Sequence, residues 1–574
     1  MRLVWKYIKP IRFFLIATLL IKISATVIEL FIPYVLSYIL DYMVPAGNVK
    51  NVVLWGAVML LFAALACITN IVANRMVARI SRRVTSNTRH DLFERILQLS
   101  SRQIDEFTIP SLESRLTSDT YNVHHFVGIS LRMGIRAPIM IIGGIIVTAT
   151  LDAAMMLIMI ITMPLIALSV GFITNRGIPL FKKSQKSVDS MVRIVREDAQ
   201  GIRVIKALSK VDYERRRFDK ANRQLVADDN KAGINIAASN PIVTVLLNFG
   251  LAVVIVVGAY RVMGGLSETG KIIAFIQYFT MISNAMIGIT RVFVNYSKGS
   301  ASAQRIAEVI NTEPDLCTES EEKYPSVKTD AHVSFENVSF SYLGKKNNVS
   351  DVSLELGHGA TLGIIGATGS GKTTLAQLLM RFYDVDSGCV RINGRDVRTI
   401  PHGELNTMFG VVQQNDFIYA GSIRDNIDFG RGLDGAQIER AAKIAQAEEF
   451  ILDCDDKYDH MINSKGTNLS GGQRQRLLIA RALAGSPEIL ILDDSSSALD
   501  YKTDAKLRKA ISEEMGGITT VIVAQRVSSV MNADIIIVMD DGQVIGMGTH
   551  NELIASCSVY KEISDSQIGG AIID

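Results

Sequence analysis

A glycine-rich loop between an apolar run and a helix-like run places the strongest constraint on this chain. The segment 366–374 fits the pattern G-x-x-x-x-G-K-[ST], which allows backbone N–H groups to point at phosphate oxygens. The residues before it, 360–365, read as a short strand, and the residues after it, 375–382, read as the start of a helix. We therefore predict a phosphate-binding loop made of Gly366, Thr368, Gly369, Ser370, Gly371, Lys372, Thr373 and Thr374. Lys372 is expected to reach the β and γ phosphates, and the Thr373 hydroxyl to ligate Mg²⁺.

Composition divides the chain into a membrane part and a soluble part. Of 574 residues, 48% are hydrophobic, and the mean hydropathy is +0.25, which is high for a soluble enzyme. The apolar excess lies before about residue 310. A net charge of only +3 does not favour a nucleic-acid partner. The five cysteines are scattered without paired spacing and indicate neither a metal site nor a disulfide framework.

Six apolar runs are each about as long as the 20 residues that cross a bilayer. They lie at 13–44, 51–80, 127–151, 153–173, 236–262 and 272–294. The basic residues cluster in the two long connections, at 79–132 and 176–231, so that side is cytoplasmic. An even number of spans then puts both chain ends in the cytoplasm, and we predict a multi-pass protein of the plasma membrane.

The two long connections are too long to be simple loops, and the helices are expected to extend well beyond the bilayer. Each connection contains a stretch where the chain should reverse direction, at 110–119 and at 209–215. A surface-exposed helical hairpin is one interpretation of these stretches. We prefer contact with the domain that holds the phosphate loop.

Charged residues inside the spans are costly and usually face a protein interior or a wet cavity. The candidates are Lys22, Glu29, Arg136 and Arg291, with Asn284 and Asn295 near Arg291. Glu29, Asn284, Arg291 and Asn295 are the candidates for a substrate path. A structural pair between helices is an equally good interpretation of the charges.

The soluble part follows a polar, acidic linker at 311–330. Alternating apolar residues at 332–342 predict a small antiparallel layer, and alternating strand and helix patterns then predict an α/β domain with a largely parallel sheet. We thus expect a transmembrane domain at 1–310, the linker, and a nucleotide-binding domain at 331–574.

Two further motifs extend the phosphate chemistry. A buried strand, 489–493, ends in Asp493, which is the expected position of a Walker B carboxylate that holds Mg²⁺. Ser470, Gly471, Gly472 and Gln473 open a helix-like run and form a second phosphate-binding N-terminus. One domain does not need two such sites for one nucleotide, so the second is expected to serve a nucleotide held by another copy of the domain.

With these motifs the chain resembles a half-transporter of the ATP-binding cassette (ABC) exporter family, in the group that includes bacterial multidrug exporters and P-glycoprotein. The resemblance covers nearly the whole chain, and the signature Leu-Ser-Gly-Gly-Gln at 469–473 is highly specific. It implies ATP and Mg²⁺ as ligands and two cassettes packed head to tail. It also implies that Tyr342 stacks on adenine, that Gln414 contacts Mg²⁺, and that 497–500, ending in Asp500, is the D-loop. The stretches 110–119 and 209–215 resemble the coupling-helix regions of the family.

Two departures from the family pattern set this chain apart. The general-base glutamate after the Walker B aspartate is replaced by Asp494, which is shorter by one methylene. The switch histidine is replaced by Gln525, which can bind a γ-phosphate but cannot carry a positive charge. Because Lys372, Asp493 and Gln473 remain, we interpret the site as one that binds ATP but hydrolyses it poorly.

The resemblance therefore predicts a heterodimer with one degenerate and one competent site. The partner should carry glutamate and histidine at the two altered positions. The predicted function is ATP-driven export of amphipathic small molecules, either multidrug or lipid-like. A homodimer with two slow sites, or an ATP-gated channel or regulatory protein, remains the alternative.

Overall fold

The computed structural model describes residues 1–342, 344–414, 416–495 and 499–568. The chain forms two compact units. The first contains residues 1–97 and 108–312, and the second contains residues 98–107 and 313–574. The short segment 98–107 is thus part of the second unit, although it lies in sequence between two membrane spans.

The first unit is built from helices alone among the residues described, apart from turns between them. Six of its helical stretches are long and apolar enough to cross a membrane, as the sequence predicts. Short π-helical turns at Ile39–Met43 and Arg115–Asp119 continue two of them. Its helices are α1 (Arg2–Ile8), α2 (Arg12–Tyr38), α3 (Val49–Leu97), α5 (Ile109–Ser114), α6 (Thr120–Leu151), α7 (Ala153–Gln200), α8 (Ile202–Ala207), α9 (Val211–Ala237), α10 (Ser239–Met263) and α11 (Thr269–Ile310), whereas α4 (Ser101–Phe107) belongs to the second unit.

Three of these helices are far longer than a bilayer requires. α3 has 49 residues, α7 has 48 and α11 has 42, so each would extend about 60–75 Å at 1.5 Å per residue. The prediction that helices continue beyond the membrane is therefore confirmed for this unit.

The breaks in the helical path lie just before the predicted stretch 110–119 and at the first residue of the predicted stretch 209–215. The short helix α4 ends before Thr108, whose φ of 62° breaks the helical path. In the second connection α7 ends at Gln200, α8 follows, and Ser209 has a φ of 52°. Residues 211–215 already belong to α9. Both predicted ranges begin near the break and then run into the following helix.

The second unit contains two main sheets. A four-stranded antiparallel sheet has the order β2-β1-β4-β5, and a six-stranded sheet has the order β12-β11-β3-β10-β9-β6. In the larger sheet only β12 is antiparallel to its neighbour. The strands are β1 (Ala331–Phe340), β2 (Val349–Gly357), β3 (Thr361–Gly366), β4 (Ser387–Ile392), β5 (Arg395–Asp396), β6 (Phe409–Val412), β7 (Gly421–Ser422), β8 (Met461–Ile462), β9 (Ile489–Asp493), β10 (Thr519–Ala524), β11 (Ile535–Asp540) and β12 (Gln543–Gly548).

Continuous apolar runs explain the parallel sheet. Strands β9 and β10 are buried along their whole length, as expected when helices cover both faces. The covering and connecting helices are α12 (Lys372–Leu379), α13 (His402–Met408), α14 (Ile423–Asp428), α15 (Gly435–Ile444), α16 (Glu448–Leu452), α17 (Gly471–Leu483), α18 (Tyr501–Glu514), α19 (Val527–Val530), α20 (His550–Ser556) and α21 (Ser558–Ile568). The predicted fold class, a six-helix membrane domain followed by an α/β domain with a small antiparallel layer, is confirmed.

Candidate nucleotide site

The predicted site residues meet at one edge of the six-stranded sheet, where the parallel strands end. Strand register aligns Val523 of β10 with Asp493 of β9, and Ala524 with Ile365 of β3. Val412 near the end of β6 aligns with Leu492. In open α/β sheets, ligands bind beyond the carboxyl ends of the strands. The phosphate loop, Asp493, Asp494, Gln414 and Gln525 all follow directly from those ends.

The phosphate loop has the backbone that its glycines allow. Gly369 and Gly371 have φ values of 87° and 98°, and Gly371 caps the N-terminus of α12. A Cβ at Gly371 would lie 2.4 Å from the carbonyl oxygen of Asn348. Glycine is therefore required at Gly371 both by conformation and by space. Thr368 lies exposed in this loop, Thr374 lies buried in the first turn of α12, and Ser370 is 3% exposed with no hydrogen-bond partner for its hydroxyl among the described residues.

Lys372 is buried inside this loop. Its ammonium donates to the carbonyl oxygens of Gly366, at 2.9 Å, and Ala367, at 2.7 Å. Burial lowers the pKa of Lys372, while the nearby carboxylates Asp493 and Asp494 oppose that shift. A phosphate at this position would give the buried ammonium an anionic partner, so the side chain suits the ligand.

The residues for a metal ion lie beside the loop. The Thr373 hydroxyl donates to Asp493 Oδ1 at 3.2 Å. Burial raises the pKa of Asp493, and the neighbouring Asp494 raises it further. A divalent cation would offset this cost, and a hydroxyl with a carboxylate is a donor set that Mg²⁺ prefers. These residues therefore fit Mg²⁺, and Gln414 lies exposed just beyond β6 at the same edge.

The two departures from the family pattern lie at this edge as well. Asp494 has a φ of 50°, and its backbone N–H donates to the carbonyl oxygen of Val523 at 2.8 Å. This bond extends the β9–β10 ladder by one residue and so fixes the backbone position from which the shorter Asp494 side chain extends. Gln525 follows β10, and its side chain is exposed.

Gln525 is also held by a residue that the sequence did not suggest. Gln567 of α21 donates to the Gln525 carbonyl oxygen at 2.9 Å and accepts from the Val527 N–H at 2.8 Å. One glutamine side chain thus binds the backbone on both sides of Arg526. No local motif signals this contact, because Gln567 lies far along the chain in the last helix.

Tyr342 connects the strand layer to α12. Its hydroxyl donates to Gln377 Oε1 at 2.6 Å and lies 3.3 Å from the Thr374 hydroxyl, from which it can accept. Its ring packs edge-on against Tyr383, with centroids 5.1 Å apart. The Tyr383 hydroxyl in turn donates to Asp105 of α4 at 3.1 Å. The sequence predicted Tyr342 at the site but not its link to Tyr383 and Asp105.

The signature residues occupy a second helix N-terminus. The Ser470 hydroxyl accepts from the Gln473 N–H at 3.3 Å, and Gln473 Oε1 accepts from the Ser470 N–H at 2.9 Å. This reciprocal capping box opens α17, and Ser470 and Gly471 are exposed while Gly472 is half-buried. Asp500 caps α18 by accepting from the Thr503 N–H at 3.1 Å, and hydrogen bonds from the Thr503 side chain and backbone lower the pKa of Asp500. Ser497 and Ala498 of the predicted D-loop lie outside the described residues.

The intramembrane candidates have separate partners in the first unit. Arg136 of α6 donates to Glu29 of α2 at 2.5 Å, so the carboxylate pairs with Arg136 rather than with Arg291. Asn295 contacts His125 at 3.0 Å and donates to the Arg291 carbonyl oxygen. Asn284 and Arg291 are exposed. The interpretation of Glu29 as one half of a pair between helices therefore describes its observed contact.

Comparison with known proteins agrees with this architecture. The ABC transporter transmembrane region matches residues 15–286, and the ABC transporter family matches residues 349–497. An uncharacterised ABC transporter ATP-binding protein of Bacillus subtilis, YfiB, is 34% identical over 567 residues, which cover 98% of each chain. An ATP-dependent lipid A-core flippase of Vibrio vulnificus is 31% identical over 516 residues, which cover 88% of this chain and 86% of the flippase.

A solved structure shows the same fold. A bacterial Atm1-family ABC exporter with ATP bound aligns with a TM-score of 0.79 at 22% identity, over 97% of this chain and 98% of that one. The phosphate loop, the Asp493 strand and the signature helix thus belong to an ATP-binding domain that follows a six-span membrane region. The chain is therefore a member of the ABC transporter family, a half-transporter of the exporter fold with a multi-pass membrane region and a cytoplasmic ATP-binding domain.

Proposed function

We propose that this chain is the degenerate-site subunit of a heterodimeric ABC exporter. In this proposal the complex uses ATP to move amphipathic small molecules, either drugs or lipid-like compounds, out across the plasma membrane. The proposal rests on one observation: Asp494 and Gln525 both lie at the sheet edge that also holds the retained Lys372 and Asp493. The binding groups are kept, whereas both groups that would activate water or sense the γ-phosphate are altered.

The chain's own site is expected to hold Mg²⁺ and ATP without splitting ATP efficiently. Lys372 would bind the β and γ phosphates, Thr373, Asp493 and Gln414 would hold Mg²⁺, and Tyr342 would contact adenine. Asp494 is one methylene shorter than glutamate, and its backbone is fixed by the bond to Val523. A displacement of about 1 Å can cost on the order of 100-fold in rate. Gln525 remains neutral and cannot supply the positive charge of a protonated histidine.

The signature is expected to complete the site of a partner subunit. Ser470 and Gly471 are exposed at the start of a 13-residue helix, whose N-terminus favours a phosphate. Because the capping box satisfies Ser470 and Gln473 within this chain, the motif is ordered before a nucleotide arrives. The proposed partner carries glutamate and histidine at the two positions that Asp494 and Gln525 occupy here.

The transport cycle follows from the two binding sites. ATP would close the two cassettes, the closure would pass through the intracellular helices to the spans, and the membrane cavity would open outward. Hydrolysis at the partner's site would reset the complex. This is alternating access in which ATP binds the closed state more tightly than the open state. The likeness to a lipid A-core flippase favours a lipid-like substrate within the proposed range.

Two other functions share the same fold and motifs. A homodimer with two slow sites would need no partner, and an ATP-gated channel would move substrate only down its gradient. Uptake into inverted membrane vesicles that requires ATP and proceeds against a gradient supports a pump. Uptake that ATP permits but that stops at equal concentrations would contradict a pump.

The direct test compares this chain alone with the same chain coexpressed with a half-transporter that carries glutamate and histidine at the two altered positions. We expect purified chain alone to show little ATPase activity and the coexpressed pair to show robust activity. Both samples are reconstituted in the same lipid, and Lys372→Ala in this chain is the control for binding at its own site. Robust turnover by the chain alone would contradict the heterodimer proposal.

A further inference from the structure

The first unit contains a group of charged side chains within the membrane that the ATP-binding motifs do not explain. We call it the cationic cluster and define it as Lys22, Glu29, Arg132 and Arg136. Lys22 lies within electrostatic reach of the other three residues. Three cations and one carboxylate leave the cluster with a net positive charge.

A structural role does not readily account for Lys22. It is 3% exposed, and its ammonium donates to the amide oxygens of Asn70, at 2.8 Å, and Asn74, at 3.3 Å. Both acceptors are neutral, so they orient the ammonium without cancelling its charge. A buried charge without a counter-ion is costly, and within a membrane such a residue usually marks a functional site.

The remaining members leave hydrogen-bonding capacity unused. Glu29 and Arg136 form one bond, but Glu29 Oε2 and Arg136 Nε are buried and have no hydrogen-bond partner among the described residues. Arg132 donates from Nε to the carbonyl oxygen of Gly128 at 3.0 Å and is otherwise exposed. No salt bridge joins Arg132 or Lys22 to a carboxylate in the described part of the chain. The cluster thus offers unpaired positive charge and free N–H donors.

The depth of the cluster in the bilayer indicates which part of an amphiphile it can bind. At 1.5 Å per residue, Glu29 and Arg136 lie about 20 Å from the outer ends of their spans, at Met43 and Leu151. Lys22 and Arg132 lie about 30 Å from the same ends, close to the inner limit of a hydrocarbon core of about 30 Å. The cluster therefore extends from the inner boundary, where the head groups of inner-leaflet amphiphiles lie, into the inner part of the bilayer.

We infer that the cationic cluster binds the anionic head group of the transported substrate, so that this exporter accepts amphiphiles bearing a phosphate or another acidic group. The inference rests on the proposed export function and specifies its substrate class. Lys22 and Arg132 supply the uncancelled charge, and Arg136 supplies a free donor. Glu29 holds Arg136 in place and also repels an incoming anion.

The opposite signs of these contributions allow a sharp test. The full-length chain, assembled with its partner in detergent and without ATP, is mixed with equal amounts of lysophosphatidate and lysophosphatidylcholine of identical acyl chain. Native mass spectrometry then gives the ratio of the two lipids retained. We expect preference for lysophosphatidate, a reduction of that preference by about tenfold in Lys22→Met, and an increase in Glu29→Gln. Lys50→Met, which removes a lysine outside the cluster, should leave the ratio unchanged.

Several outcomes would overturn the inference. A ratio that is the same in Lys22→Met as in the unchanged protein would show that the lysine does not recognise the head group. A fall in the ratio in both Lys22→Met and Glu29→Gln would indicate a merely structural role, because removing the carboxylate should favour an anion. Dodecyl phosphate shares only the acidic head and the single chain with lysophosphatidate, so it should compete for the cluster. Failure of added dodecyl phosphate to displace bound lysophosphatidate would exclude recognition by charge.

The measurement is independent of the transport test. Lipid retention is measured without ATP, so a charge preference that persists without ATP-driven uptake would contradict the export function and leave the cluster's role standing. ATP-driven uptake of neutral and acidic amphiphiles at equal rates would support export and overturn this substrate class.

Discussion

The ATP-binding unit presents two helix N-termini that carry phosphate-binding motifs, and they differ in how they are built. The N-terminus of α12 is enclosed: Gly371 is in the left-handed region and Lys372 is 7% exposed. The N-terminus of α17 is open: Ser470 and Gly471 are exposed, and the capping box is complete within the helix. Helix α12 packs against β3, β9 and β10, whereas helix α17 packs against β6, α14 and α15.

This difference is what the proposed function requires of a chain that supplies two unequal half-sites. In the proposed function, a nucleotide at α12 would be bound by buried groups of the same chain, and its hydrolysis would depend on Asp494 and Gln525. A nucleotide at α17 would be held from outside, so the motif there needs only its own order and exposure. Both departures from the family pattern lie on the enclosed side, and the open side is intact. If the two sides are functionally unequal, substitutions at the open terminus and at the enclosed site should change ATPase activity by different amounts.

The largest effect is expected from Gly471→Asp at the open terminus. A carboxylate at the first position of α17 would repel the γ-phosphate that the partner holds. We expect ATPase activity of the heterodimer to fall on the order of 100-fold, although the change lies outside this chain's own Walker site. Steady-state ATPase measurements on the reconstituted complex give the value.

The matched control for this change is Gly435→Asp. Gly435 is also exposed and also opens a helix behind a capping box, that of Asp434. An acidic residue in the first turn favours a helix, so neither variant should unfold. Equal losses of activity in Gly435→Asp and Gly471→Asp would remove the special role of the open terminus.

A gain of function is expected when the enclosed site is restored. The double change Asp494→Glu with Gln525→His supplies the longer carboxylate and an ionisable switch residue. In a heterodimer whose partner lacks its own general base, we expect turnover to rise at least about tenfold. Single-turnover ATP hydrolysis measures this site directly. An unchanged rate would mean that these two positions do not limit hydrolysis here.

A smaller effect is expected from Asp494→Asn. If this site contributes little turnover, the change should lower heterodimer ATPase less than about twofold, whereas loss of the partner's glutamate should lower it about 100-fold. The two variants are measured side by side at saturating ATP. Equal losses would show that both sites hydrolyse and that the asymmetry is wrong.

Much of this architecture could be predicted from the sequence, because the relevant signals are local. The length of an apolar run decides whether a helix crosses the bilayer, and the position of Asp493 at the end of a buried run places it at the sheet edge. The glycine spacing before Lys372 requires a tight loop whatever surrounds it. These features do not depend on distant parts of the chain.

Contacts between distant segments could not be predicted in the same way. Glu29 pairs with Arg136 because the rotations of α2 and α6 bring them together, and run lengths do not specify rotation. The Tyr383 contact with Asp105 joins residues 278 positions apart, and Gln567 reaches Gln525 across 42. The hydrophobic periodicity of the sequence does not predict such pairings. The site was therefore predictable in its phosphate-binding parts and not in the contacts that hold Tyr342 and Gln525.

The smallest effect is expected from two capping-box variants, which distinguish the stability of the α17 N-terminus from its role in ATP hydrolysis. Ser470→Ala and Asp434→Ala each remove the side-chain acceptor of a capping box, at α17 and α15. Each should destabilise its helix start by about 1 kcal/mol, so the first amides of that helix should exchange with deuterium about fivefold faster in the full-length protein. Only Ser470→Ala should also lower heterodimer ATPase, because only its hydroxyl would face a nucleotide. If Asp434→Ala lowers ATPase equally, the signature serine acts through helix order alone, and the open terminus would be an ordinary capped helix.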